Sequence, residues 1–249
     1  MKINILLLLL ISAFTGVAQT NVYTFNNGVV YTEKEMRSFI DATEQTTPKG
    51  YQVTPIIYHK IISKDTVLNY LTFSRVNLNG NPRKPAQFKY QQDSLFLLLN
   101  QRLPEFELTD LNGKTVSSAS LHGKPTLINF WNTKCGPCIA EMPQLSKLKD
   151  KYGDQMNFLS ITDDSTKEIE LANFLKNKGF NYPVLESGGE YKALLKISSL
   201  PRNIFLDNNG VVRYIQGNYP VDLKGNEIPA DSPDNYFTKI VNGLITTSR

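Results

Sequence analysis

The chain has 249 residues, 41% of them hydrophobic, and a formal net charge of +4, a composition that suits one large domain or two small ones. Its 27 lysines and arginines are scattered rather than clustered, which argues against nucleic acid as a partner. With only two cysteines, it lacks the dense disulfide framework common in small exported proteins.

The first 18 residues read as a secretory signal: a lysine at position 2, an apolar run from Ile5 to Ile11, then Gly16 and Ala18 at the spacing a signal peptidase needs. Cleavage there starts the mature chain at Gln19, soluble and outside the cytoplasm, and no cysteine follows the run to take a lipid. The alternative is an uncleaved membrane anchor, but the run falls short of the roughly 20 residues of a spanning helix.

From Gln19 to Asn100 the pattern predicts a small α+β region without a chemical motif. Thr32 and Glu35 form a capping box, and Met36, Phe39 and Ile40 give the following helix its apolar stripe. YQVTPIIYHKIIS and TVLNYLTFSRV, separated by Lys64-Asp65, read as a β-hairpin within a set of antiparallel strands. DSLFLLLN is ambiguous between helix and strand.

From Gln101 onward, strands and helices alternate as in an α/β layer structure. PEFELTDLNGKTVSS predicts a hairpin turning at Asn112-Gly113, and PTLINFW a strand buried on both faces. A helix follows to Tyr152, then the strand MNFLSIT. Ser165 and Glu168 predict a second capping box, opening a helix through Leu171, Phe174 and Leu175. YPVL, a short helix at EYKALLKI, the hairpin RNIFLDNNGVVRYIQG and a last helix near DNYFTKIVNGLI complete the pattern.

Both cysteines lie in FWNTKCGPCIAEMP, between a strand and a helix. That order puts Cys135 at the helix N-terminus, where unsatisfied N–H groups and the macrodipole stabilise a thiolate, the attacking species. Cys138, one turn further in, is shielded and placed to resolve the mixed disulfide that Cys135 forms with a partner. A loop this short is a poor structural staple. A zinc site needs four ligands, and His59 and His122 are far apart without paired spacing, so no metal is expected. Lys134 is either a solvated surface lysine or a positive charge tuning Cys135.

FWNTKCGPC resembles the active-site stretch of the thioredoxin superfamily, and CIAEMP, PEFELTDLNGK and SSLPRNIFLDNNG resemble its exported TlpA/ResA-like branch. The resemblance runs from Gln101 to the C-terminus. It implies a thioredoxin-like α/β fold, a central mixed sheet flanked by helices, over 101–249; the small α+β region 19–100 and the signal 1–18 that precede it are read from their own residues and carry no such resemblance. It implies disulfide exchange with protein substrates. No cofactor beyond the Cys135–Cys138 disulfide is expected, and an exported reductant would itself need electrons, for which a membrane-embedded dithiol transporter is the expected donor. Cys135 falls on the family's nucleophile and Cys138 on its resolving thiol. Pro201 falls on its cis-proline, which turns the backbone so that Leu200 meets an extended substrate. Sequence alone favours trans at that bond, since only about one X-Pro bond in twenty is cis.

Glu141, three residues after Cys138, falls on an acid that moves thiol protons in this branch; its plainer reading is a complement to the helix dipole. Gly136, Pro137 and Trp131 are the remaining candidates for the docking surface, although an aromatic at a strand end, as Trp131 is, belongs more often to the core. Asn129 replaces thioredoxin's buried aspartate, which leaves Glu141 as the substitute proton acceptor. Gly136 and Pro137 carry no donor side chain to hold a thiolate, which points to a reductant or isomerase rather than a strong oxidant. Two alternatives compete. One is a peroxiredoxin-like thiol peroxidase, for which Asn132 stands where threonine or serine is wanted. The other is a binding or assembly protein with dispensable thiols.

Overall fold

The computed structural model describes residues 19–27, 29–167, 170–222 and 226–247, so the expected signal at 1–18 lies outside the described residues. Two sheets organise them, one of five strands and one of seven.

The first sheet takes β1 (Thr20–Thr24), β2 (Tyr31–Thr32), β3 (Tyr51–Ser63), β4 (Thr66–Asn77) and β5 (Lys89–Tyr90) in the order β2-β1-β4-β3-β5. The hairpin β3–β4 turns at Lys64-Asp65 as expected, with Lys64 in the left-handed region (φ 48°). The all-antiparallel expectation does not hold, because β1 pairs parallel with β4 and β5 parallel with β3. Helix α1 (Glu33–Thr46) starts at the Thr32/Glu35 capping box and buries Met36 and Ile40. DSLFLLLN resolves as a 3-10 turn, Ser94–Leu98, whose Leu95 and Phe96 are buried.

The second sheet takes β6 (Glu107–Asp110), β7 (Thr115–Ser117), β8 (Thr126–Trp131), β9 (Asn157–Thr162), β10 (Val184–Glu186), β11 (Arg202–Leu206) and β12 (Val212–Gln216) in the order β12-β11-β8-β9-β10-β6-β7. β8, β9 and β10 run parallel and the other pairings are antiparallel. All six residues of β8 are buried, as its continuous apolar run predicts for a central strand.

Strand alternation divides the core around this sheet. Leu127, Trp131 and Phe205 face the apolar sides of α2 (Gly136–Tyr152), α3 (Leu171–Asn177) and α5 (Tyr236–Thr247). Ile128, Phe130, Ile204 and Leu206 face the other way, toward Tyr191 and Leu195 at α4 (Gly189–Leu194) and toward Tyr70, Leu95, Phe96 and Leu99 of the N-terminal region. The N-terminal region therefore shares a core with the second sheet as well as keeping its own around Tyr23, Met36, Ile40, Ile57 and Leu71. Backbone bonds tie the junction, Asn100 N–H to Val212 O and Val212 N–H to Gln101 O. Asn26 adds Nδ2–H to Ile215 O at 2.9 Å and accepts from Gln216 Nε2.

The capping box expected at Ser165/Glu168 does not start α3. Glu168 lies outside the described residues, and the helix begins at Leu171 behind Glu170, which makes no side-chain cap. Ser165 instead accepts from Lys167 N–H in a local turn.

Candidate active site

β8 ends at Trp131 and the chain turns at once into α2. Asn132 shapes that turn: its carbonyl accepts from Cys135 N–H and its side chain from Lys134 N–H. Asp164 holds Thr133 N–H at 2.7 Å from the neighbouring loop. Cys135 thereby becomes the N-cap of α2, and its Sγ accepts from Cys138 N–H at 3.3 Å. The two cysteines form a disulfide with Cα atoms 5.3 Å apart. Cys135 is half-buried and Cys138 is 1% exposed, the asymmetry expected of an outer attacking thiol and an inner resolving one.

Across from the disulfide, the Leu200–Pro201 peptide bond is cis. Cys135, Gly136, Pro137 and Leu200 line one open cavity of about 470 Å³, with Lys134 and Ser199 at its rim. Gly136 and Pro137 are exposed, Leu200 is half-buried, and Pro201 is buried behind it.

Trp131 does not join them. It is 0% exposed, stacked 6.0 Å from Phe174, and donates Nε1–H to Ser160 Oγ. Its place in β8 turns the ring toward α3 rather than the surface, so it supports the active-site loop from below and offers no docking area.

Glu141 lies one helical turn beyond Cys138, on the face of α2 that meets the sheet. It is 2% exposed, yet both carboxyl oxygens are satisfied. Oε1 accepts from Asn129 Nδ2 at 2.8 Å and Asn203 Nδ2 at 3.3 Å, and Oε2 from Tyr219 N–H at 2.7 Å. Burial pushes its pKa up to about 8, against the opposing pull of the Tyr219, Asn203 and Asn129 hydrogen bonds. A carboxyl of this kind gains and loses a proton near neutral pH, which suits exchange with a thiol.

Asn203 and Tyr219 were missed in the sequence. Asn203 pairs with Asn129 in the β11–β8 register, and their side chains are joined by an Asn129 Nδ2–H to Asn203 Oδ1 bond of 2.9 Å. The clue was parity: Asn203 is a lone amide in the apolar strand RNIFL, two residues before Phe205 and hence on the α2 face. Tyr219 lies outside any strand and left no such trace.

The AhpC/TSA family matches residues 99–215. The thiol-disulfide oxidoreductase ResA of Bacillus thuringiensis subsp. konkukian (strain 97-27) is 32% identical over 121 residues, covering 48% of this chain and 70% of that protein. The chain belongs to the ResA-like thiol-disulfide oxidoreductases, within the thioredoxin-like proteins. Another relative, the thioredoxin-like protein YneN of Bacillus subtilis (strain 168), is 30% identical and covers 51% of this chain and 75% of its own. Among solved structures, a thiol:disulfide interchange protein of the thioredoxin family from Chlorobium tepidum TLS aligns with 24% identity, covering 58% of this chain and 95% of that one at a TM-score of 0.45. As a ResA-like protein the chain is a thiol-disulfide oxidoreductase with a thioredoxin-like fold. The match to the B. thuringiensis ResA spans less than half of the chain, and the AhpC/TSA match begins only at residue 99.

Proposed function

We propose that this ResA-like chain is an exported reductant or isomerase of protein disulfides, with Cys135 as nucleophile, Cys138 as resolving thiol and Glu141 as the proton carrier beneath them. The observation that carries the reading is the disulfide itself: half-buried Cys135 and shielded Cys138 at a helix N-terminus, with Leu200 lining the same open cavity as Cys135.

In the reducing direction, the Cys135 thiolate attacks one sulfur of the client disulfide and displaces the other as a thiolate. The Cys138 thiol then gives up its proton, with Glu141 the buried group able to take it. Its thiolate attacks Cys135 Sγ, releasing the second client thiol and leaving the Cys135–Cys138 disulfide. Two electrons pass to the client, and a membrane dithiol transporter is the donor that restores them. Leu200, Gly136 and Pro137 form the surface where the client cysteine docks. Clients of this chemistry include the haem-attaching cysteine pairs of c-type cytochromes. Export rests on the apolar run Ile5–Ile11 with Gly16 and Ala18; among the described residues, no helix is long and apolar enough to cross a membrane.

The reduction potential of the Cys135–Cys138 pair tests the direction. Equilibration with dithiothreitol or glutathione mixtures is expected to give a value below about −200 mV, whereas one near −120 mV makes the protein an oxidant. Consumption of hydrogen peroxide in proportion to an added thiol donor would turn the reading toward the peroxidase.

A further inference from the structure

The cavity at the disulfide does not end at Leu200. Ser198 and Ser199 line it on one side and, on the other, line a larger groove of about 830 Å³ between the cis-proline loop and the N-terminal region. One wall of that groove is N-terminal, with Tyr58, Gln92 and Phe96; the other is built from Ser199, Asn218 and Tyr236. The lining combines amide and hydroxyl groups with aromatic and aliphatic side chains, which suits a polypeptide backbone with its side chains better than a purely apolar helix face.

The two walls are braced at Arg202, the residue after Pro201. Its Nη2–H donates to Ser199 Oγ at 2.6 Å, the same nitrogen lies 4.0 Å from Asp93 Oδ2, and the guanidinium sits 6.0 Å from the Phe96 ring centroid. Asp93 is itself fixed, because it caps the 3-10 turn through Leu95 N–H and donates its own N–H to Tyr58 O. The groove is therefore held open before any client arrives, which lowers the ordering cost of binding.

Charge selects the occupant. Asp93 faces Arg202, and Lys192 pairs with Asp163. Lys196 in the groove and Lys134 at the disulfide are exposed and form no ion pair among the described residues. We infer that the N-terminal region is one wall of the client site: the groove takes the extended chain flanking the client cysteine, with preference for a segment carrying carboxylates. The inference rests on the proposed reducing activity and adds what selects its clients.

The test uses the reduced mature protein and three probes: an acidic peptide and a basic peptide of equal length, each with its single cysteine in a mixed disulfide with mercaptoethanol, and hydroxyethyl disulfide. The acidic peptide is expected to react about tenfold faster than the basic one at low salt, with the gap closing as salt is added. Gln92→Trp, which fills the groove, and Lys196→Glu, which reverses its charge, should each lower the ratio of acidic-peptide rate to hydroxyethyl disulfide rate about fivefold, through KM rather than kcat. Equal rates for the two peptides, or an unchanged ratio in Gln92→Trp, overturn the inference. Failure of the unaltered protein to reduce hydroxyethyl disulfide or either peptide would instead sink the proposed activity itself.

Discussion

The two sheets are made of similar apolar strands, but only one holds reactive groups. β8 is buried along its whole length and carries the disulfide loop at its end, with the Asn129 amide beneath. β3 and β4 are twice as long, and their exposed residues include both ends of the hairpin. A central strand packed on both faces can hold a side chain to the tolerance that exchange chemistry needs, whereas a long hairpin with one covered stretch supplies a wall and a shared core. The comparison assigns chemistry to the second sheet and shape and stability to the first.

Several substitutions would break that division if it were wrong. The largest effect belongs to the cysteines: Cys135→Ser should abolish exchange, while Cys138→Ser should still attack and accumulate a mixed disulfide visible on non-reducing gels. Full complementation of a deletion by a variant with both Cys135 and Cys138 changed to serine would return the molecule to the binding proteins. Phe96→Ala, in the N-terminal region, removes a ring that is 2% exposed and packed in the core shared with Ile128 and Ile204. It should cost about 3–5 kcal/mol in denaturant unfolding of the whole chain. A transition of the second sheet that stayed put would mean that the two regions do not stabilise one another.

Glu141→Gln sharpens the comparison from the chemical side. The folded carboxyl has its pKa raised from 4.5 to about 8, so between those values the native oxidised protein binds more protons than the unfolded chain. Its contribution to stability is full below pH 4.5, falls as pH rises, and is lost once pH passes about 8. The slope from this one group reaches at most about 1.4 kcal/mol per pH unit. Glu141→Gln should flatten that part of the stability profile and slow the resolving step, seen as a longer-lived mixed disulfide. A profile as steep as that of the unaltered protein would assign the slope elsewhere. The smallest change is expected from Thr32→Ala, which loses the α1 capping box for about 1 kcal/mol and should leave exchange rates as they were.

Features written in contiguous residues were legible in the sequence. The spacing of Cys135 and Cys138, the Thr32/Glu35 cap and the hairpin at Lys64-Asp65 all depend on neighbours in the chain, and the structure places each accordingly. Trp131 was harder, because TLINFW is apolar at nearly every position and carries no alternation to show which face each ring takes. The parallel partners β1 and β5 are short and polar, and their strand character comes from the hairpin they flank. The cradle around Glu141 was least legible, since Asn203 and Tyr219 stand 62 and 78 residues away and are brought in by register and packing.

The ties between the N-terminal region and β12 have one more effect. β12 is the outermost strand of its sheet. Such a strand ordinarily offers a row of unused backbone groups on which a second molecule can polymerise. Here Val212 already spends its N–H on Gln101 and its carbonyl on Asn100, and the carbonyl of Ile215 is taken by Asn26. The N-terminal region that walls the groove thus also blunts the rim of the neighbouring sheet, leaving fewer free backbone groups there for edge-to-edge pairing with a second molecule.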